Sequence, residues 1–382
     1  MPLAKKNKRI LFIVPYPLNS APGQRFRFEQ YLDILKSKQI IYYTDSFLNK
    51  RTNEILYSKG NILLKTFGVV RGYILRLATT IRALNYSYIF VFREASPIGP
   101  PVLEWILAKL FHKKIIYDFD DAIWLEDPDE MGSLKSTLKW KSKVASICKW
   151  SYKVSVGNQY LADFANQYND NVVINPTTID TEELHNPLSL NKGMPEQVRQ
   201  EHLPASKAEV RLEGEKIVIG WTGTHSTLQY LNPIIPIIQQ LEERYDFEFL
   251  VIANKNPEFK LKSFRFQTWS KPSEIADLMK IDIGLMPLTD DPWSKGKCGF
   301  KLLQYMALEK PVLASPVGIN TNIVSHGING FLCNNQKEWY DHLVQLITDP
   351  QLRRKFGNCG RTKVTKDYSV LSNKVNFLSL FE

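Results

Sequence analysis

Cysteine is scarce in this chain and poorly spaced for chemistry. The 382 residues hold four, Cys148, Cys298, Cys333 and Cys359, far apart and with no CxxC pair. That argues against a zinc ribbon or a disulfide framework and leaves buried or incidental thiols. Histidine is nearly as sparse, with six residues and no paired motif. Long apolar runs are missing as well, because no stretch reaches the ~20 residues that span a bilayer. The N-terminal MPLAKKNKRILFIVPYP sets basic residues before an apolar run. However, ILFIV is too short for the core of a signal peptide, and Pro15 and Pro17 follow without a small-residue cleavage site. The run reads as a first buried strand behind a solvated basic tail, and the expected location is the cytoplasm. No helix-turn-helix, RRM or zinc-finger pattern is present, so no nucleic acid is expected as a partner.

What is present describes a folded protein: 44% hydrophobic, 12% aromatic and 23% charged residues, in a length that calls for two domains. The net charge is +10; basic residues are spread along the chain, but two stretches concentrate them without acid, VVRGYILRLATTIRAL (69–84) and SLKSTLKWKSKVASICKWSYK (133–153). Both have helical periodicity with interleaved aromatics. They suit an anionic membrane surface, or equally an amphipathic helix with a solvated Lys/Arg face.

Short apolar runs alternate with amphipathic ones along most of the chain. RILFIVPY, YIFVFR, KKIIYDFDD, YKVSVGN and NVVINP read as strands of a first half, and EKIVIGW, FEFLVIAN, RFQTW, IDIGLMPL and KPVLASPV as strands of a second. Continuous apolar strands separated by helices predict parallel sheets covered on both faces. The polar, proline-containing stretch between them reads as a linker. The expected organisation is a first domain over 1–185, a linker over 186–215, a second domain over 216–365, and a final helix over 366–382 packing back on the first domain.

In open parallel sheets ligands collect at the carboxyl ends of strands. In IGWTGTHS, Gly223 and Thr224 offer a turn with amide and hydroxyl donors, although an ordinary tight turn would look the same. In LMPLTDDPWSKGKCGFKLLQYM, Gly296 and Gly299 precede a helix start beside Lys297 and Lys301. A helix N-terminus with two lysines suits a diphosphate. Gln304, three residues after Lys301, shares its helix face. The alternative is a solvated lysine pair that binds nothing.

GFKLLQYMALEKPVLASPVGINTNIVSHGINGFL and the downstream DPQLRRKFGNCGRTKVTKDYS resemble the donor-binding signature of retaining glycosyltransferases of the GT4 family. The likeness covers nearly all of the second half and is looser in the first. It implies an α/β GT-B fold, with two Rossmann-like doubly wound parallel-sheet domains facing across a cleft. It also implies transfer of a sugar from a UDP- or GDP-sugar to a glycan or lipid-linked acceptor, in bacterial cell-surface polysaccharide or glycolipid synthesis. No cofactor and no metal are expected. Carried over by position, Lys301 meets the donor diphosphate and Gln304 the ribose or sugar hydroxyls. The amides of Gly299 and Phe300 complete the cradle, with Gly223 and Thr224 opposite, Lys297 adding long-range attraction, and Trp269 and Ser270 near the base.

The sequence departs from that family's E-x7-E pair, since the two carboxylate positions fall at Gly296 and Gln304. An amide keeps one acceptor, so activity need not be lost. The strand end YDFDD offers Asp118 and Asp120 as catalytic candidates that orient an acceptor hydroxyl or steady positive charge on the sugar, or else as partners of internal salt bridges. Gly23, Arg25, Arg93, Glu94 and Asp121 form the expected acceptor side, where Arg93 and Glu94 could equally be a simple ion pair. A catalytically silent binding subunit of a glycan-assembly complex and a nucleotide-sugar epimerase are the alternative functions.

Overall fold

A computed structural model describes residues 8–55, 60–126, 140–187 and 216–382. Most of the 186–215 linker and residues 133–139 of the second basic stretch therefore lie outside the described residues. The chain divides into two compact units. The first takes the residues up to Thr177 together with Gly296–Cys298 and Asn373–Glu382, and the second takes Thr178–Lys295 and Gly299–Ser372.

The first unit is built on a six-stranded parallel sheet in the order β2-β1-β3-β4-β5-β6. Its strands are β1 (Arg9–Val14), β2 (Ile41–Ser46), β3 (Tyr88–Phe92), β4 (Lys114–Phe119), β5 (Lys153–Val156) and β6 (Val172–Ile174). Ile10–Val14 of β1 and all of β3 are buried, as continuous apolar runs require when helices cover both faces. β2 is the strand that the sequence pattern does not reveal. IYYTDS lies at the sheet edge with Ile41 and Tyr43 exposed, so its composition is mixed. The C-terminal segment closes this unit: Phe377 stacks on Tyr31 at 4.2 Å between ring centroids, and Lys153 Nζ donates to the Ser379 carbonyl at 2.6 Å.

The second unit carries another six-stranded parallel sheet in the order β12-β11-β10-β7-β8-β9. Its strands are β7 (Ile217–Gly223), β8 (Phe247–Ala253), β9 (Phe264–Thr268), β10 (Ile283–Met286), β11 (Val312–Ala314) and β12 (Gly330–Leu332). Both sheets have the helix-flanked parallel architecture expected of GT-B halves. After β7 the chain forms a 3-10 segment, His225–Leu231, and then a helix, Ile235–Leu241. Pro236 falls in the first turn of that helix, where a missing N–H is harmless.

Candidate functional site

Strand order in the second unit reverses between β10 and β7, so the crevice at their carboxyl ends is the place where a parallel sheet opens to a ligand. Two loops flank it. The loop after β7 is rigidly held. The Trp221 indole lies over Gly223, where a Cβ would overlap the ring and sit 2.7 Å from Thr227 Oγ1. Thr224 and Thr227 cap the 3-10 segment reciprocally. The His225 amide donates to Asn254 Oδ1 at 2.8 Å, which pins this loop to the end of β8.

The loop after β10 leads into the Phe300–Ala307 helix. Gly299 sits at its N-cap with φ 69° and ψ 15° and supplies no capping side chain, so no side-chain oxygen masks the partial positive charge of the helix start. A Cβ at Gly299 would be strained by the left-handed backbone and would overlap Ile323 Cδ1. Gly299→Ala is therefore expected to lower the melting temperature, with roughly 1–2 kcal/mol lost to the backbone conformation alone. A thermal melt of the variant checks this, and a melting curve matching the parent would contradict the assignment.

Lys301 places its ammonium 5.3 Å from the Trp221 ring centroid, a cation–π contact that sets the lysine at the mouth of this loop pair. Gln304, one turn on, is only 2% exposed, and its Nε2 has no hydrogen-bond partner among the described residues. The helix is docked by Tyr305, whose hydroxyl accepts from the Thr222 amide at 2.9 Å. The Tyr305 ring lies against Gly284 of β10, where a Cβ would overlap it. Burial pushes the Tyr305 phenol up, so it remains a neutral partner for that amide. Trp269 lies at the same sheet end, its amide donating to the Ala253 carbonyl at 2.9 Å, and Ser270 Oγ is 2.5 Å from Ser273 Oγ.

The strand ends of the first unit gather a second cluster. Asp118 is fully buried and held by Arg27 through both guanidinium and carboxylate, with Ser155 Oγ adding a bond of 2.5 Å. Arg93, with φ 59°, donates to Asp120 Oδ1 and Asp121 Oδ2, both at 2.7 Å. Gly23 packs against the same group, since a Cβ there would lie 2.8 Å from Asp120 Oδ2. Lys297 Nζ meets Asp121 Oδ1 at 3.0 Å, and the Asn158 amide holds the Lys297 carbonyl at 2.9 Å. Lys297 is thus a member of the first unit's carboxylate network. Glu94 pairs instead with Lys143 at 2.6 Å, and the Arg25 guanidinium lies 5.0 Å from the Phe26 ring centroid.

Environment separates these carboxyl groups. Burial opposes ionisation of Asp121, but Lys297 and Arg93 outweigh it and hold its carboxyl below the ordinary range. Asp120 is pushed up by burial and by the charge of Asp121, with Arg93 opposing. Gly296 has no room for a side chain at all, because a Cβ would sit 2.7 Å from Ala122 Cβ and 2.8 Å from its amide nitrogen. The carboxylate that the GT4 pattern carries at this position is thereby sterically excluded. Trp221, Asn254, Tyr305 and Ser155 belong to no motif that marks them in the sequence. A tryptophan two residues before the strand-end glycine was the available signal for the first of them.

Residues 216–349 match the family model "Glycosyl transferases group 1". No curated protein sequence matches the chain. Among solved structures, sucrose-phosphate synthase from Thermosynechococcus elongatus superposes with a TM-score of 0.68 at 13% identity, over 98% of each chain. A glycosyltransferase from Rickettsia africae gives 0.62 at 15% identity, over 98% of each chain. HepE from Anabaena, solved in complex with UDP and glucose, gives 0.60 at 14% identity, over 98% of this chain and 100% of that one. At such identities the likeness establishes the fold, which is GT-B. The family match over 216–349 covers the loops built around Gly223, Gly299 and Lys301, and the chain is accordingly a transferase carrying a group 1 glycosyltransferase domain.

Proposed function

We propose that this protein is a retaining glycosyltransferase that moves a sugar from a UDP- or GDP-sugar to a glycan or lipid-linked acceptor, in the synthesis of a bacterial surface polysaccharide or glycolipid. The observation that carries this reading is the uncapped helix start at Gly299, with Lys301 seated on Trp221, at the switch point of a group 1 glycosyltransferase domain. UDP bound to HepE, which shares the fold, is consistent with a nucleoside diphosphate as leaving group.

In this reading the amides around Gly299 and Phe300 and the ammonium of Lys301 receive the diphosphate as negative charge develops on its departure. Gln304 has an oxygen and an NH2 without a partner among the described residues, with which to meet a ribose or sugar hydroxyl. Gly223 and Thr224 bound the other side of the donor, and Trp269 and Ser270 lie toward the base. The acceptor side is assigned to the loops of the first unit holding Gly23, Arg25, Arg93, Glu94 and Asp121. Asp118, enclosed by Arg27 and Ser155, suits a positioning role, whereas Asp120, at 9% exposure, keeps a path to a bound hydroxyl. No cofactor or metal is invoked. The protein would work in the cytoplasm, at the inner face of the membrane that holds a lipid-linked acceptor.

Incubation with UDP- and GDP-sugars, following nucleotide release, tests the assignment. Release of nucleotide with sugar transferred to an added lipid extract is expected. Binding without turnover would instead support a silent subunit, which the absence of carboxylates at Gly296 and Gln304 favours as the second reading. Epimerised sugar without transfer would support an epimerase.

A further inference from the structure

The Ile62–Arg82 helix is oriented opposite to an ordinary surface helix. Its inward face is small and polar: Gly68, Gly72, Arg76, Thr79 and Thr80 are buried. Gly72 allows the Phe47 ring to approach to 2.7 Å of where a Cβ would stand. Arg76 donates to the carbonyls of Ala95 at 2.7 Å and Val14 at 2.6 Å. The apolar side chains face outward. Leu63, Phe67, Val70, Ile74, Leu77 and Ile81 are 87%, 69%, 50%, 62%, 60% and 67% exposed. Alternating steps of four and three residues place all six on one face.

So long an apolar face on a folded protein marks an interaction surface. The charge pattern selects the occupant. The helix contains Lys65, Arg71, Arg76 and Arg82 and no acidic residue. A second copy seated on this face would bring basic flanks together with no Glu or Asp at the flanking positions to pair them, as helix–helix seams usually require. An anionic bilayer accepts both the apolar face and the basic flanks. Among the described residues no helix is long and apolar enough to cross a membrane, so the contact is a surface one.

We propose that the outward face of the Ile62–Arg82 helix docks the protein on an anionic lipid bilayer, with the helix lying flat in the interface. The lipid-linked acceptor proposed above gives this contact its purpose, and to that extent the inference rests on that reading. The test reads binding without donor, acceptor or turnover, so its failure is separate from failure of sugar transfer. Full-length protein is sedimented with phosphatidylcholine vesicles with and without phosphatidylglycerol. The triple variant Phe67→Ser, Ile74→Ser, Leu77→Ser keeps every charge and alters only exposed positions. Capture is expected to require phosphatidylglycerol and to fall about tenfold or more in the triple variant. Arg71→Gln with Arg82→Gln is expected to weaken capture and flatten its salt dependence. The proposal is overturned if the triple variant pellets like the parent, or if pure phosphatidylcholine captures the protein equally well. It is also overturned if size-exclusion chromatography without lipid shows an oligomer that the triple variant dissociates, since the face is then an interface between copies.

Discussion

Lys301→Ala is expected to weaken UDP or GDP binding by about a hundredfold, with a comparable or larger fall in kcat/KM. Removing one partner of a desolvated, charge-assisted contact typically costs about 2–5 kcal/mol, and a hundredfold corresponds to about 2.8 kcal/mol. The side chain is well placed for so large an effect. Its ammonium rests over the Trp221 ring, and its helix starts without a side-chain cap. Ring and helix dipole are already in position before ligand arrives, so little reorganisation offsets the interaction. Isothermal titration calorimetry with UDP measures the effect directly. Unchanged affinity would sink the phosphate-cradle assignment. Lys301→Arg separates charge from shape: a guanidinium keeps the charge and can stack on the indole, but its planar fork differs from a compact ammonium. Partial retention of binding is expected.

The largest stability effect is expected at Arg27→Met. Arg27 is 1% exposed and Asp118 is completely buried, and each provides the other's main charge compensation. Burial alone would lower the Arg27 pKa, but Asp118 outweighs it and pushes the guanidinium up, so the arginine is charged at any relevant pH. Deleting the cation leaves a buried carboxylate with Ser155 as its remaining side-chain partner among the described residues. Breaking a buried pair in this way costs about 3–5 kcal/mol. For a unit of this size that corresponds to a drop of roughly 10 °C in the transition of the first unit. Differential scanning calorimetry reads it, preferably resolving the two units, because a chain with two compact bodies need not melt in one step. Arg27→Met combined with Asp118→Leu should recover part of the loss, since replacing both charges with apolar groups removes the desolvation penalty. If the double variant is as unstable as the single one, the damage lies in packing rather than in the orphaned charge.

The main strands are readable in the sequence because central parallel strands are buried on both faces and must be apolar throughout. FIV in β1 and YIFVF in β3 could hardly be anything else. The two strands that pattern alone misses are those released from this constraint. β2 is a half-exposed edge strand, and β12 has three residues, too few to show a period. The glycine–lysine composition of the Gly299–Lys301 helix start is equally local, and so it is visible from sequence.

What the chain alone determines about this protein is therefore whatever depends on neighbours in sequence: strand composition, helix starts, and the positions where only glycine fits a turn. The tertiary structure decided which distant groups meet. Asp118 is paired with an arginine 91 residues away, and Tyr305 holds the amide of Thr222 across 83 residues. It also decided which face of an amphipathic helix turns inward. The periodicity of residues 62–82 shows two faces, and hydrophobicity would assign the apolar one to the core. Gly68 and Gly72 reverse that assignment, because only the side without Cβ atoms lets Thr52 and Phe47 pack so closely, and Arg76 on that side finds backbone carbonyls to satisfy it.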